Sequence, residues 1–340
     1  MDPKQTRTLG QTDVQLTQLG FGGAAIGELW DPVNEAQAQA TLSTFWEAGM
    51  RYFDTSPWYG RGMSEHRIGH SVRQHPRNDY VISTKVGRLL SAVPDEKDLD
   101  RSTWAGGLSF HHRHDYSYDG IMRSFEDSLQ RLGVPRVDVL LIHDLDHWHH
   151  QTDARVSAYM NQLFTSGYRA LTSLKDQGLI KGIGAGINQP GTINQFMDMV
   201  DLDFFLIALC YTLLDQVILD DEMARASESG MGFIIGGVLN SGILATGAVD
   251  DARYNYAPAT QDALDRTRRI ESLCARYEIP LVAAALQFPL GHPNVASVIP
   301  GALSPAQVTA NIDAMKVDIP EEFWSDLKNE GILPDHVPTP

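Results

Sequence analysis

The sequence predicts an α/β protein built as one (β/α)8 barrel, with a small hairpin ahead of it and long loops on one face. Two observations carry this expectation. Eight short apolar runs alternate with longer segments of helical period. The runs are apolar throughout rather than alternately polar, as strands covered on both faces are, and no change of composition divides the chain. A single TIM-type barrel domain over residues 1–340 is therefore expected, rather than an open doubly wound sheet or two domains.

The elements follow in order. The opening RTLGQTDVQ reads as a hairpin turning at Gly10 and Gln11. The predicted barrel strands are LGFGGA, RYFD, YVISTK, VDVLLIH, KGIGAG, FFLIALC, GFIIGG and VASVIPG. Between the first two, Asn34 and Gln37 form a capping-box pattern, and Ala38, Leu42, Phe45 and Gly49 keep one helical face apolar or small. Asp119 is placed to cap a helix carrying Ile121, Met122, Phe125, Leu129 and Leu132, and a helix through Leu171 and Leu174 stops at Gly178. Two long irregular segments, 87–117 and 144–157, read as binding loops, and the tail LPDHVPTP reads as loose.

Composition limits the partners. With 27 Lys plus Arg against 43 Asp plus Glu, the formal charge of −16 repels a phosphate backbone and argues against nucleic acid. Cys210 and Cys274 have neither disulfide-framework nor metal-ligand spacing, which suits a reducing cytoplasm. The N-terminus lacks a signal-peptide core, and FFLIALCYTLL is too short to span a bilayer, so no membrane role is expected. The expected partner is a small-molecule substrate; the sequence says nothing about oligomeric state.

The working face of such a barrel lies at the C-terminal ends of its strands. Asp54, Lys85 and His143 end three consecutive predicted strands, and Tyr59 follows Asp54 in the loop SPWYG. A lysine compensated by an aspartate would lower the pKa of a neighbouring phenol. That phenol could then exchange a proton with a carbonyl or hydroxyl oxygen held by the histidine. With no metal site required, hydride transfer with an organic cofactor is the coherent chemistry.

Three other patterns compete with this centre. GFGGAA matches a dinucleotide fingerprint, but IGELWDPV follows it where a helix would have to open, so the match is read as coincidence. His147 and His150 have i, i+3 spacing without a third ligand, and no metal is expected. Trp30, Trp58 and Trp148 fall in top-face loops and are candidates for stacking on a substrate ring.

The segments FDTSPWYG, STKVG, LLIHD, GIGAGINQ and VIPGALSPAQVTAN, in this order, resemble the aldo-keto reductases over about residues 7–326. YSYDGIMRSFEDSLQRLG, YTLLDQ, LNSGILATG, YNYAPA and AALQFPLGHP are similar to a bacterial branch oxidising aldoses such as L-fucose at C1, or pyridoxal at its 4-position. The resemblance implies Tyr59 as general acid or base, Lys85 as the group lowering its pKa, Asp54 as the partner of Lys85, and His143 as orienter of substrate oxygen. It further implies Asn188 at the nicotinamide carboxamide, Gly237, Leu239 and Gly242 around the pyrophosphate, and Gly301, Ser304, Gln307 and Asn311 at the adenosine end. Glycine, Gly236 or Gly237, stands where relatives stack an aromatic residue on the nicotinamide, and Ala208 replaces a usual glutamine. Gly301 and Gln307 occupy positions that are lysine and arginine in NADP-selective relatives, so NAD is expected over NADP. The implied activity is NAD-dependent oxidation of a cyclic hemiacetal to a lactone, an aldose first and pyridoxal second. A nucleotide-sensing subunit is the alternative from another class, and the presence of all four catalytic-type residues argues against it.

Overall fold

The computed structural model describes residues 1–340. Eight parallel strands form one sheet: β1 (Phe21–Gly22), β2 (Tyr52–Asp54), β3 (Val81–Val86), β4 (Val139–His143), β5 (Gly182–Ile187), β6 (Phe204–Ala208), β7 (Gly232–Gly236) and β8 (Val295–Ile299). Neighbours in the sheet are neighbours among the strands in chain order, as successive strand–helix units require. A parallel bridge between Leu19 and Val298 closes the barrel, with Val298 donating to the Gln18 carbonyl at 2.9 Å and Gly20 to the Val298 carbonyl at 2.9 Å.

Because strand side chains alternate between faces, the apolar residues separate into two cores. Tyr52, Val139, Leu141, Phe204, Leu206, Ile234 and Ile299 fill the barrel interior, whereas Phe53, Ile82, Leu140, Ile142, Phe205 and Ile207 pack beneath the helices. On β5 the glycines make room: a Cβ on Gly184 would lie 2.5 Å from the Phe204 ring. The predicted hairpin pairs Thr6–Thr8 with Gln15–Thr17 and sends Leu9, Val14 and Leu16 into the barrel floor. Its turn spans more residues than the predicted two-residue tip. Gly10, at φ +54°, sits where a Cβ would be 2.6 Å from the Gly232 nitrogen.

Asn34 accepts from the Gln37 amide and starts helix Glu35–Glu47, but the Gln37 side chain donates to the Leu303 carbonyl instead of completing the box. The cap of helix Tyr118–Leu132 is Ser117, not Asp119, which lies within its first turn. Ser117 wins because its hydroxyl accepts from Gly120 while donating to Asp115. Segment 87–117 is not irregular: Arg88–Ala92 and Phe110–His114 pair as an antiparallel arm. The tail also departs from expectation, since Leu333 and Val337 are buried in the main core. Helices Gln261–Arg276 and Glu321–Asn329 lie outside the eight units and were not anticipated. No helix is long and apolar enough to cross a membrane.

Candidate active site

Alternation along the strands decides which side chains reach the barrel mouth. Tyr52 and Asp54 on β2, Ser83 and Lys85 on β3, and Leu141 and His143 on β4 are each two residues apart, so apolar or hydroxyl side chains below are succeeded by ionisable ones above. A polar ladder links them: the Tyr52 hydroxyl meets Ser83 Oγ at 2.9 Å, and Ser83 donates to Asp54 Oδ1 at 2.7 Å. Lys85 Nζ donates to Asp54 Oδ2 at 2.8 Å and to the Thr55 carbonyl at 2.9 Å. Burial raises the Asp54 carboxyl above its ordinary range against the opposing pull of Lys85 and Ser83.

Tyr59 enters from the turn after β2. Its amide donates to the Ser56 carbonyl at 3.1 Å, and the Trp58 amide donates to Ser56 Oγ at 3.0 Å. The chain then reverses through Gly60 at φ +60°, where a Cβ would lie 2.5 Å from the Gly27 carbonyl. This leaves the Tyr59 ring 4.6 Å from Lys85 Nζ and 5.9 Å, edge to face, from the His143 ring.

The Tyr59 phenol shifts in the direction opposite to the one the Lys85–Asp54 pair predicts. Burial pushes the phenol well above its ordinary value, Asp54 and Asp144 push it further, and Arg88 is the charge that draws it back. Desolvation outweighs the positive charge at this depth.

His143 is neutral, since burial and the cations Arg88 and Lys85 depress it well below 6.5 despite Asp144. Asp144 Oδ2 can only accept and faces His143 Nε2, which leaves Nδ1 to accept from the Ser56 hydroxyl at 3.0 Å. The ring proton is thereby assigned to Nε2, which lies 3.2 Å from Asp144 Oδ2.

Asp144 was missed by the sequence reading. Held at φ +50°, it accepts from Arg88 at 2.6 Å and from Asn188 Nδ2 at 2.9 Å, and it lies 3.4 Å from His149 Nε2. Although burial opposes ionisation, His143, His149 and Arg88 hold this carboxyl far below the usual carboxylate range. Asp144, Asp146 and His149 also bring potential metal-ligand atoms within 4.8 Å of one another, but the Asp144 oxygens are engaged by Arg88 and Asn188. His147 and His150 diverge, the first toward Asp153 and the second onto Tyr116.

Asp54, Tyr59, Lys85, His143 and Asp144 line one cavity of about 450 Å³ together with Gly22–Ala25, Asn188, Gly236–Leu239, Gly242, Gly301 and Gln307. Asp54, Tyr59, Lys85 and His143 meet there, and so do the proposed cofactor residues Asn188, Gly237, Leu239, Gly242, Gly301 and Gln307. Ser304 does not line it; it caps helix Pro305–Lys316 through the Gln307 amide. Asn311 faces a separate small void beside Phe21 and Phe45. Of the tryptophans, Trp30 lines the cavity, whereas Trp58 packs behind Tyr59 against Trp104, His112 and Arg88, and Trp148 stands outside on the surface. Tyr256, absent from the predicted set, lines the mouth. Cys210 and Cys274 are buried, and burial pushes each thiol up to about 12.

A family model described as Aldo/keto reductase family matches residues 18–330. The chain belongs to the aldo/keto reductases. It is 42% identical to a pyridoxal 4-dehydrogenase of Microbacterium luteolum, over 97% of this chain and 98% of that protein. Identity to a D-threo-aldose 1-dehydrogenase of a Pseudomonas species is 34%, over 93% of this chain and 94% of that protein. Among solved structures, an aldo-keto reductase of Bacillus halodurans in its holo form superposes with a TM-score of 0.72 at 22% identity, covering 96% of each chain. A glycerol dehydrogenase of Gluconobacter oxydans gives 0.71 at 22% identity, covering 100% of this chain and 98% of that one. These two likenesses concern the fold.

Aldo/keto reductases work with nicotinamide cofactors, and the cavity suits one. Gly236, Gly237, Gly242 and Gly301 present bare backbone to it, and an added Cβ at Gly242 would meet nothing within 4 Å, leaving open space for a ligand. The absence of a side chain at Gly236 and Gly237 leaves Leu206, Ala208 and Leu209 as the nearby wall.

Proposed function

We propose that this reductase-family enzyme uses NAD to oxidise a cyclic hemiacetal to a lactone, with pyridoxal as first substrate and an aldose such as L-fucose at C1 as second. The sequence reading ranked the aldose first. The observation that carries the new order is the aromatic and apolar surface that Leu29, Trp30, Leu209 and Tyr256 contribute to the cavity lining, on which a flat pyridine ring can lie. Greater identity to the pyridoxal 4-dehydrogenase than to the aldose dehydrogenase supports the same order.

The bound nicotinamide would supply the hydride acceptor. In this reaction the hydroxyl proton of the hemiacetal would pass to ionised Tyr59 as the carbon gives up its hydrogen as hydride to that acceptor and a C=O bond forms; with pyridoxal the product is 4-pyridoxolactone. Neutral His143 offers its Nε2 hydrogen to the substrate oxygen, and Lys85, paired with Asp54 at 2.8 Å, stands 4.6 Å from the Tyr59 ring. Asn188 gives its NH₂ to Asp144, leaving its amide oxygen to accept from a carboxamide. Support for NAD over NADP is that Lys85 is the only lysine or arginine among the lining residues, so a ribose 2′-phosphate would find no cation at Gly301 or Gln307.

The test is the initial rate of NADH formation from NAD with pyridoxal and with L-fucose, each repeated with NADP. Faster turnover of pyridoxal with NAD is expected. No reduced nucleotide from either substrate refutes the reading, and the Tyr59→Phe variant should bind NAD normally while turning over neither.

A further inference from the structure

Tyr256 sits at a turn where its residue type is unfavourable. Arg253–Tyr254 and Ala257–Pro258 pair antiparallel across the two-residue link Asn255–Tyr256. Both link residues are left-handed, at φ +50° and +63°, as a type I′ turn demands. Asparagine suits the first position, and glycine is the residue that suits the second. An aromatic side chain there is strained, and its ring packs against residues of other loops rather than within the turn.

The turn is nevertheless held firmly. The Tyr254 hydroxyl donates to both Asp215 oxygens at 2.8 and 2.9 Å, Arg266 closes on Asp215 at 3.3 Å, and the Tyr256 amide donates to Ser241 Oγ at 2.9 Å. Held there, Tyr256 lines the cavity on one side and is 42% exposed on the other. Desolvation, Tyr59 and Asp144 push its phenol up while Lys85 draws it down, which places the hydroxyl within the field of the catalytic groups.

Two further aromatics from other loops meet it. Trp30, after β1, lies 6.1 Å from the Tyr256 ring, and Trp148, after β4, lies 6.0 Å from it. Trp30 is itself left-handed, at φ +73°. Thus both aromatics that line the mouth occupy a backbone conformation that L side chains avoid, and such strain concentrates at ligand clamps. Trp148 is also exposed, and its amide is fixed by Gln189 Oε1 at 2.7 Å.

We infer that Tyr256, backed by Trp148 and facing Trp30, is the specificity-determining residue of this site, covering a flat aromatic substrate ring at the cavity mouth. This rests on the hemiacetal reading above and narrows it to aromatic substrates. The ring is the working part of Tyr256; its hydroxyl is dispensable for binding.

The experiment is calorimetric titration of pyridoxine, which carries an alcohol in place of the aldehyde and forms no imine with lysine, into the NADH complex of each variant. Tyr256→Gly relieves the turn and removes the ring, so Kd should rise about tenfold or more while Tm stays within about 2 °C of wild type. Tyr256→Asn, also tolerant of φ above zero, should behave alike and serves if the glycine variant folds poorly. Tyr256→Phe should bind as wild type does, within about threefold. An unchanged Kd in both Tyr256→Gly and Tyr256→Asn, or no binding of pyridoxine to wild type, overturns the inference. Weaker NADH binding in step with weaker pyridoxine binding overturns it too, by assigning Tyr256 to the cofactor. If pyridoxal and L-fucose yield no NADH but pyridoxine binding depends on Tyr256, the proposed function fails and the role of Tyr256 stands. Turnover of pyridoxal with a Kd indifferent to Tyr256 gives the reverse.

Discussion

Replacing Asp144 by asparagine would remove one negative charge from a site that has organised four groups around it. Arg88, 3% exposed, donates to Asp144 at 2.6 Å, and Asn188, His143 and His149 lie at 2.9, 3.2 and 3.4 Å. Removing one partner of a buried ion pair leaves the other charge uncompensated, at a cost of ~3–5 kcal/mol. An unfolding entropy of about 2 cal/mol/K per residue over 340 residues comes to roughly 0.7 kcal/mol/K, so the loss lowers Tm by roughly 4–7 °C. Asp144 also holds the Tyr59 phenol up, so its removal lets that pKa fall and moves the pH–rate profile of oxidation toward acid. Differential scanning calorimetry and initial rates across pH 7–10 read the two effects. The double variant Asp144→Asn/Arg88→Met removes both charges and should regain most of the lost stability. A Tm loss below about 1 °C for the single variant, or no regain in the double, would sink the ion-pair argument, and an unmoved pH profile would sink its electrostatic extension to Tyr59.

Because burial holds the Tyr59 phenol well above its ordinary value, the form that accepts a proton grows with pH, and oxidation should quicken steadily from pH 7 to 10; a plateau beginning near pH 7 would contradict this. Lys85→Met strips the counter-charge from Asp54, which is 1% exposed, and should reduce kcat by ~10²-fold or more while leaving NADH affinity, read by fluorescence titration, little changed. Gly184→Ala forces a methyl to 2.5 Å from the Phe204 ring inside the barrel, an overpacking cost of ~1–3 kcal/mol that should lower Tm by roughly 1–4 °C; an unchanged Tm would mean that β5 yields more easily than the packing implies.

The barrel and its catalytic end were legible in the chain because their signals are local. Continuous apolar runs mark strands covered on both sides, and the period of two puts Asp54, Lys85 and His143 at the last inward positions of their strands. Asn34 as a cap was equally legible, since it depends on atoms three residues away. Where two neighbouring residues could each cap, as Ser117 and Asp119 could, the sequence left the choice to the turn geometry. Segment 87–117 hid its hairpin because His111, His112, Arg113 and His114 lack the β-branched residues that announce a strand.

What only the tertiary structure decided depends on groups distant along the chain. Asp144 meets Arg88 from 56 positions away, and the direction of the Tyr59 shift follows from desolvation by groups distant along the chain, which no motif records. Trp30, Trp148 and Tyr256 converge from three loops whose spacing holds no period. Local propensity and alternation act over a few residues, whereas desolvation, charge and loop convergence sum over everything that folding brings together. The sequence by itself therefore determined the barrel and the meeting of Asp54, Tyr59, Lys85 and His143 at its mouth, and the folded structure determined their charge, their partners and the aromatic cover above them.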